Sequence, residues 1–292
     1  MWSYCVEHQS WFRWNVFRAH VRLTKVMSVF WNASAAGVTR VAVSVGIALC
    51  TFILWTEPSN AIENLKIVRG VLILEGKIER GDYIKVRNFL GDATNFNKMT
   101  GEVFVASPGG NVVEALEIGY LIRRLRLSTD APSQPPPSER GSGNEIIHPN
   151  ELTNPKNYLC TSACFLIFVA GIYREFIWAG RLGIHHPRLE YKPIGTTENE
   201  VSMADDEIRN KVKSYLEDMN VPDKYLTLMY STAPNGVRLI TQAEFNADLK
   251  GYVPQLRDLL RAKCLRPDDR NCIRQATAQL RDEAWQKIFH PG

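Results

Sequence analysis

The chain has 292 residues, of which 45% are hydrophobic and 23% charged, an ordinary globular composition that excludes disorder along its whole length. Its net charge of +4 resides in residues 1–40, where Arg13, Arg18, Arg22, Lys25 and Arg40 stand against Glu7 alone. The remainder is near neutral and shows no internal repeat, which excludes a solenoid and leaves no basic face for nucleic acid.

Val41 to Trp55, VAVSVGIALCTFILW, is an apolar run with Arg40 before it and Ser59 and Ala61 after it. At fifteen residues it is shorter than the roughly 20 a membrane span needs. It fits the centre of a secretory signal cleaved after Ala61, with an uncleaved membrane anchor through 41–55 as the alternative. Met27 offers a more usual start than Met1, because the residues between them are long and aromatic for a signal. Residues 1–61 are therefore read as a leader. The rest of the chain is expected in an exported space, periplasmic or membrane-anchored and facing outward.

Residues 62–254 read as one α/β domain. Ile67 to Leu74 predicts a buried strand, and Tyr83, Val86 and Leu90 recur at helical spacing. Val103 to Ala106 predicts a second strand. Ser107-Pro108-Gly109-Gly110 then turns into a helix carrying Val112, Leu116, Gly119 and Tyr120. Strand–helix alternation of this kind predicts a mostly parallel sheet. Residues 128–150, with Pro132, Pro135, Pro136, Pro137 and Gly141-Ser142-Gly143, read as a surface insertion. Order resumes at Tyr158-Leu159-Cys160, followed by the turn Thr161-Ser162-Ala163 and the apolar helix CFLIFVAG. Leu182 to His185 predicts a further strand. Ile208, Val212, Tyr215, Leu216 and Met219 mark an amphipathic helix, Pro222 opens another, and 255–292 form a charged helical tail.

An exported setting gives the cysteines meaning. Cys264 and Cys272 bracket the loop LRPDDRN and are expected to form a disulfide. Cys160 and Cys164 flank Ser162 and either pair or pack as small apolar groups. Neither spacing suits zinc, so neither metal nor cofactor is expected.

Three pieces bear on chemistry. Ser162 stands where a strand turns into a helix, a place that exposes a hydroxyl and lets the Ala163 amide face a developing oxyanion. The plainer reading of such a serine is a helix cap. Gly109 and Gly110 would let backbone approach a substrate closely and donate further amides. The plainer reading there is a turn. His185-His186-Pro187 ends a strand, where successive side chains face opposite ways, so one histidine at most serves Ser162 as a base. The other is a structural histidine, a role that suits His186.

The order of these pieces resembles the Clp protease proteolytic subunit, within the wider crotonase-like superfamily. The resemblance rests on Ser107 to Gly110, on Ser162 with Ala170-Gly171, on Ile184-His185-His186-Pro187, and on Leu74-Glu75-Gly76-Lys77-Ile78. It spans about residues 65–250. It implies repeated β-β-α units and a serine-type peptidase with Ser162 as nucleophile and His185 as base. Gly109 or Gly110 with Ala163 would form the oxyanion hole, a peptide or protein would be the substrate, and a homo-oligomer is the family's habit. The leader, the proline-rich insertion, the helical tail and the cysteines around Ser162 depart from the family pattern. The family's Asp, expected downstream of the histidine, is also missing. Ser231 to Thr241 contains Asn235 as the nearest substitute, while Glu244 and Asp248 lie further on. An Asn in that role costs a serine enzyme about 10⁴ in rate where the wrong imidazole tautomer results. The alternative reading is therefore a catalytically inactive member kept for binding or assembly. A crotonase-type acyl-CoA enzyme ranks below both, since it needs no Ser–His pair and an exported space lacks CoA.

Overall fold

A computed structural model describes residues 62–133, 147, 149–175, 181–187, 198–233, 235–264, 266 and 269–291. All lie within a single contact unit, Asn60–Gly292. The apolar run 41–55 and most of the proline-rich stretch fall outside the described residues.

The molecule is a mixed α/β structure built on a mostly parallel sheet. Six strands lie in the order β1 (Asn64–Val68), β2 (Val71–Glu75), β3 (Glu102–Ala106), β4 (Ser128–Asp130), β6 (Tyr173–Glu175) and β9 (Gly251–Tyr252). The inner pairings β2–β3, β3–β4 and β4–β6 are parallel, and antiparallel pairings close both ends. A second sheet has the order β5 (Cys160–Thr161), β7 (Leu182–Ile184) and β8 (Arg238–Leu239), with β5–β7 parallel and β7–β8 antiparallel.

Parallel strands need crossovers, which helices supply. Helix α1 (Asp82–Gly91) and the short α2 (Ala93–Phe96) connect β2 to β3, and α3 (Val112–Arg124) connects β3 to β4. Helix α4 (Ala163–Val169) leads from β5 to β6, and every one of its residues is buried. An all-apolar helix of this kind belongs in the centre of a core. It packs between α3 and the strands, with Phe165 and Phe168 fully inaccessible. Helices α5 (Glu198–Asp218) and α6 (Lys224–Ser231) follow, then α7 (Pro254–Lys263) and α8 (Arg270–Phe289).

Three sequence expectations need correction. The predicted strand over 67–74 is two strands, because Arg69 (φ 51°) and Gly70 (φ 86°) turn the chain back into a β1–β2 hairpin. Two successive positive-φ residues are what a tight hairpin demands, and glycine adopts the second without strain. The surface insertion does not begin at 128, because Ser128–Asp130 is an inner strand between β3 and β6. At its other end, Ile147, Leu152 and Tyr158 are buried against Phe104. The helix after Pro222 begins two positions later than expected, at Lys224.

The C-terminal segment is integral rather than appended. Trp285 is buried in the main core, stacks on Phe96 at 5.3 Å and donates its indole N–H to the Leu90 carbonyl at 2.7 Å. Helices α7 and α8 share a smaller apolar cluster of Ile172, Val253, Leu256, Leu260, Ala276 and Leu280. Cys264 and Cys272 are disulfide-bonded between them, and Asp269 caps α8 by accepting from the Asn271 and Cys272 amides at 3.0 Å each.

Candidate active site

Ser162 joins β5 to α4 with φ 59° and ψ −125°. A residue with a Cβ is strained in that conformation, at a cost of about 1–3 kcal/mol, and persists only where its surroundings dictate it. Those surroundings are well defined. The Ser162 amide donates to the Gly183 carbonyl of β7 at 3.0 Å, and the Ser162 carbonyl accepts from Phe165 at 3.0 Å. Cys160 and Cys164 are joined by a disulfide that spans the serine, and both are fully buried. The turn is thus bonded on both sides while the serine itself stays partly exposed.

The glycine turn packs directly against it. The Ser107 amide donates to the Leu159 carbonyl at 2.7 Å, and the Thr161 amide donates to the Ser107 carbonyl at 3.1 Å. The Thr161 hydroxyl donates to the Pro108 carbonyl at 3.0 Å. A Cβ placed on Gly109 would lie 2.5 Å from the Ser162 Cβ, so Gly109 is in van der Waals contact with the serine. Gly110 cannot be replaced without moving backbone, since a Cβ there would lie 2.0 Å from the Ile78 carbonyl oxygen and φ is 136°.

The two glycine amides differ in availability. The Gly109 amide donates to the buried Ser107 hydroxyl at 3.0 Å. On either side of Gly110, the Ile78 amide donates to the Gly109 carbonyl at 2.8 Å and the Asn111 amide donates to the Ile78 carbonyl at 2.7 Å, so the Gly110 amide points away from that ladder. Asn111 then caps α3 through the Glu114 amide.

His185 follows β7 directly. Because β5 and β7 run parallel, with Thr161 beside Gly183, Ser162 and His185 leave neighbouring strands at the same, carboxyl end. His186 is held differently. Its Nε2 lies 3.4 Å from Asp205 on α5, its ring packs on Tyr230 at 4.6 Å, and its amide donates to the Thr232 carbonyl. It ties two helices to the strand end.

Asn235 is exposed, and the Gly236 amide after it donates to the Ala233 carbonyl at 2.9 Å. The β7–β8 register sets Ile184 against Arg238, so continuing it puts Val237 across from His185 and Asn235 two positions beyond. The two downstream carboxylates are committed elsewhere. Glu244 pairs with Arg238 and completes a capping box with Thr241. The Arg238 hydrogen bond, then the Thr241 amide, hold its carboxyl down at about 2. Asp248 pairs with Lys224 and accepts from the Tyr225 hydroxyl at 3.1 Å.

No family model matches the sequence, and no curated protein does. Among solved structures, the chain is similar to a mutant of the 1510-N membrane-bound stomatin-specific protease, at a TM-score of 0.39 and 13% identity. The alignment covers 66% of this chain and 83% of that one.

Proposed function

We propose that the chain is a serine hydrolase of peptidase type, with Ser162 as nucleophile and His185 as general base. The observation that carries this reading is the backbone of Ser162. A hydroxyl-bearing residue is held in a strained strand-to-helix turn, with a bracket of hydrogen bonds and a disulfide around it. Stored strain at a partly exposed nucleophile-type residue points to use rather than to packing. The Gly110 amide and the Ala163 amide at the start of α4 would serve the oxyanion, and each such donor is worth about 10²–10³ in rate. In this reading His185, which leaves the adjacent parallel strand at the same end as Ser162, takes the serine proton.

In this reading Asn235 orients His185, supported by β8 delivering its turn to the end of β7. Val237, just before β8, and Leu239 on it are half exposed and suit an extended peptide better than a compact polar metabolite. Two disulfides support an exported, oxidising location, with the leader as its route. The inactive alternative is favoured by one observation, the engagement of both Glu244 and Asp248 with other partners.

A fluorophosphonate probe on the purified full-length chain decides between them. Labelling should be abolished by Ser162→Ala and slowed by His185→Ala. Failure of the wild-type chain to label anywhere between about pH 6 and about pH 9 would move it to the binding or assembly reading.

A further inference from the structure

Where β9 pairs with β6, the protein buries a guanidinium that has no anionic partner among the described residues. Arg174 lies on β6 opposite Gly251 and is 3% exposed. Its Nη2 donates to the Met219 carbonyl at the end of α5, while its Nε meets no acceptor among the described residues. Arg123 of α3 donates to the same carbonyl at 3.3 Å and to the Ala170 carbonyl at 2.7 Å. Two guanidinium groups therefore converge on backbone oxygens, and no described carboxylate forms an ion pair with either.

An uncompensated buried charge is costly, and proteins seldom keep one without something to pair it. Burial, and then the Arg123 charge, pull Arg174 down to about 9. The helix end accounts for Nη2 but not for Nε. Beside it Asn220, at φ 54°, holds a buried side-chain oxygen that also lacks a partner among the described residues.

Arg174 and Asn220 line a cavity of about 190 Å³ whose wall also includes Lys250, Arg257 and Asp248. The Asp248 carboxylate is occupied by Lys224 and Tyr225. Lys250 and Arg257 are exposed and form no ion pair among the described residues. The space equals several waters at about 30 Å³ each, enough for a tetrahedral oxyanion and too little for a nucleotide.

We propose that this cavity binds a phosphoryl oxyanion, held by Arg174, Lys250 and Arg257, with Asn220 accepting from its P–OH. A guanidinium matches phosphate oxygens through paired N–H donors, and the two exposed cations add charge at the mouth. The hydroxyl of a hydrogen phosphate satisfies the orphaned amide oxygen, which a fully deprotonated anion such as sulfate does not.

Equilibrium dialysis of the full-length chain against labelled inorganic phosphate, at fixed ionic strength in chloride, tests this. One phosphate per chain is expected, with sulfate competing weakly. Unlabelled O-phosphoserine as competitor, at about pH 5 where the monoester keeps its P–OH, separates the two sources. Displacement marks a monoester site, and its failure marks a site for the free ion. Arg174→Met should weaken binding at least tenfold, and Lys250→Gln combined with Arg257→Gln about three- to tenfold. The proposal fails if neither phosphate nor phosphoserine binds at millimolar concentration, or if the folded variants bind as the wild type does. Should Arg174→Met not fold, the surface double variant decides alone.

Discussion

Ser162 carries a cost that separates its backbone from its hydroxyl. At φ 59° and ψ −125° the residue occupies a region that glycine enters freely and a Cβ resists. Ser162→Ala removes the hydroxyl and keeps the strain, whereas Ser162→Gly removes both. The glycine variant should therefore be more stable than the alanine variant by about 1–2 kcal/mol, somewhat less after its larger unfolded-state entropy. Thermal melts should show this as a gap of about 2–8 °C for a domain of this size. Neither variant should react with a fluorophosphonate. An alanine variant that melts at or above the glycine variant would mean the turn is not strained.

At the level of elements, α8 is the most telling. Trp285 seats it on Phe96 and on the Leu90 carbonyl, and Arg281 donates to the Met99 carbonyl at 3.0 Å. Trp285→Ala would empty a large buried volume and orphan that carbonyl, costing about 3–5 kcal/mol. The expected result is a melting point lower by roughly 10 °C, with faster proteolysis within α8; an unchanged melt would show that the helix is a detachable tail. Periodicity alone reveals α1, α3, α4, α5 and β3, because each has an apolar stripe or a continuous apolar run. It fails at Arg69-Gly70, where a two-residue turn hides inside a β-rich run. It fails again at Ser128–Asp130, whose polar side chains look like loop until both neighbouring strands are in place. At the site, the residue types and their order along the chain are readable in Ser107 to Gly110, Ser162 and His185. The direction of each amide is not, since the Ser107 hydroxyl that engages Gly109 reveals itself only in three dimensions. Arg174 gives no pattern at all; a single arginine between Tyr173 and Glu175 looks like an exposed strand residue.

Across the whole molecule, the large sheet has two unlike faces. One is covered by α1, α3 and α4. The other carries the cluster around Phe104 and Tyr158, and beside it Glu102, Asp130 and Glu175. Burial first, then the charges of Glu102 and Glu175, push the Asp130 carboxyl well above its usual range, against the one amide of Ala131 that favours its ionised form. A carboxyl raised in the folded state binds its proton more tightly there than in the unfolded chain. Its contribution is fully present below the unfolded value near 4 and is lost as pH rises through the folded one. Asp130→Asn keeps the acceptor for Ala131 without the charge. It should match the wild type near pH 4 and exceed it progressively toward neutrality, by at most about 1.4 kcal/mol per pH unit. Urea midpoints at the two ends of that range would show it; a variant destabilised equally at both would mean that Asp130 is ionised and held by a cation.

The Cys160–Cys164 bridge has a further consequence for motion. Helices usually lose their first turn by fraying and short strands by peeling, each independently and at small cost. Here the last residues of β5 and the first of α4 belong to one covalent ring with Ser162 at its midpoint. Neither end can drift without dragging the other, and both cysteines are walled in by the core. Amide protons around the serine should thus exchange with solvent only when the domain opens as a whole, so this residue has no private route out of its pose.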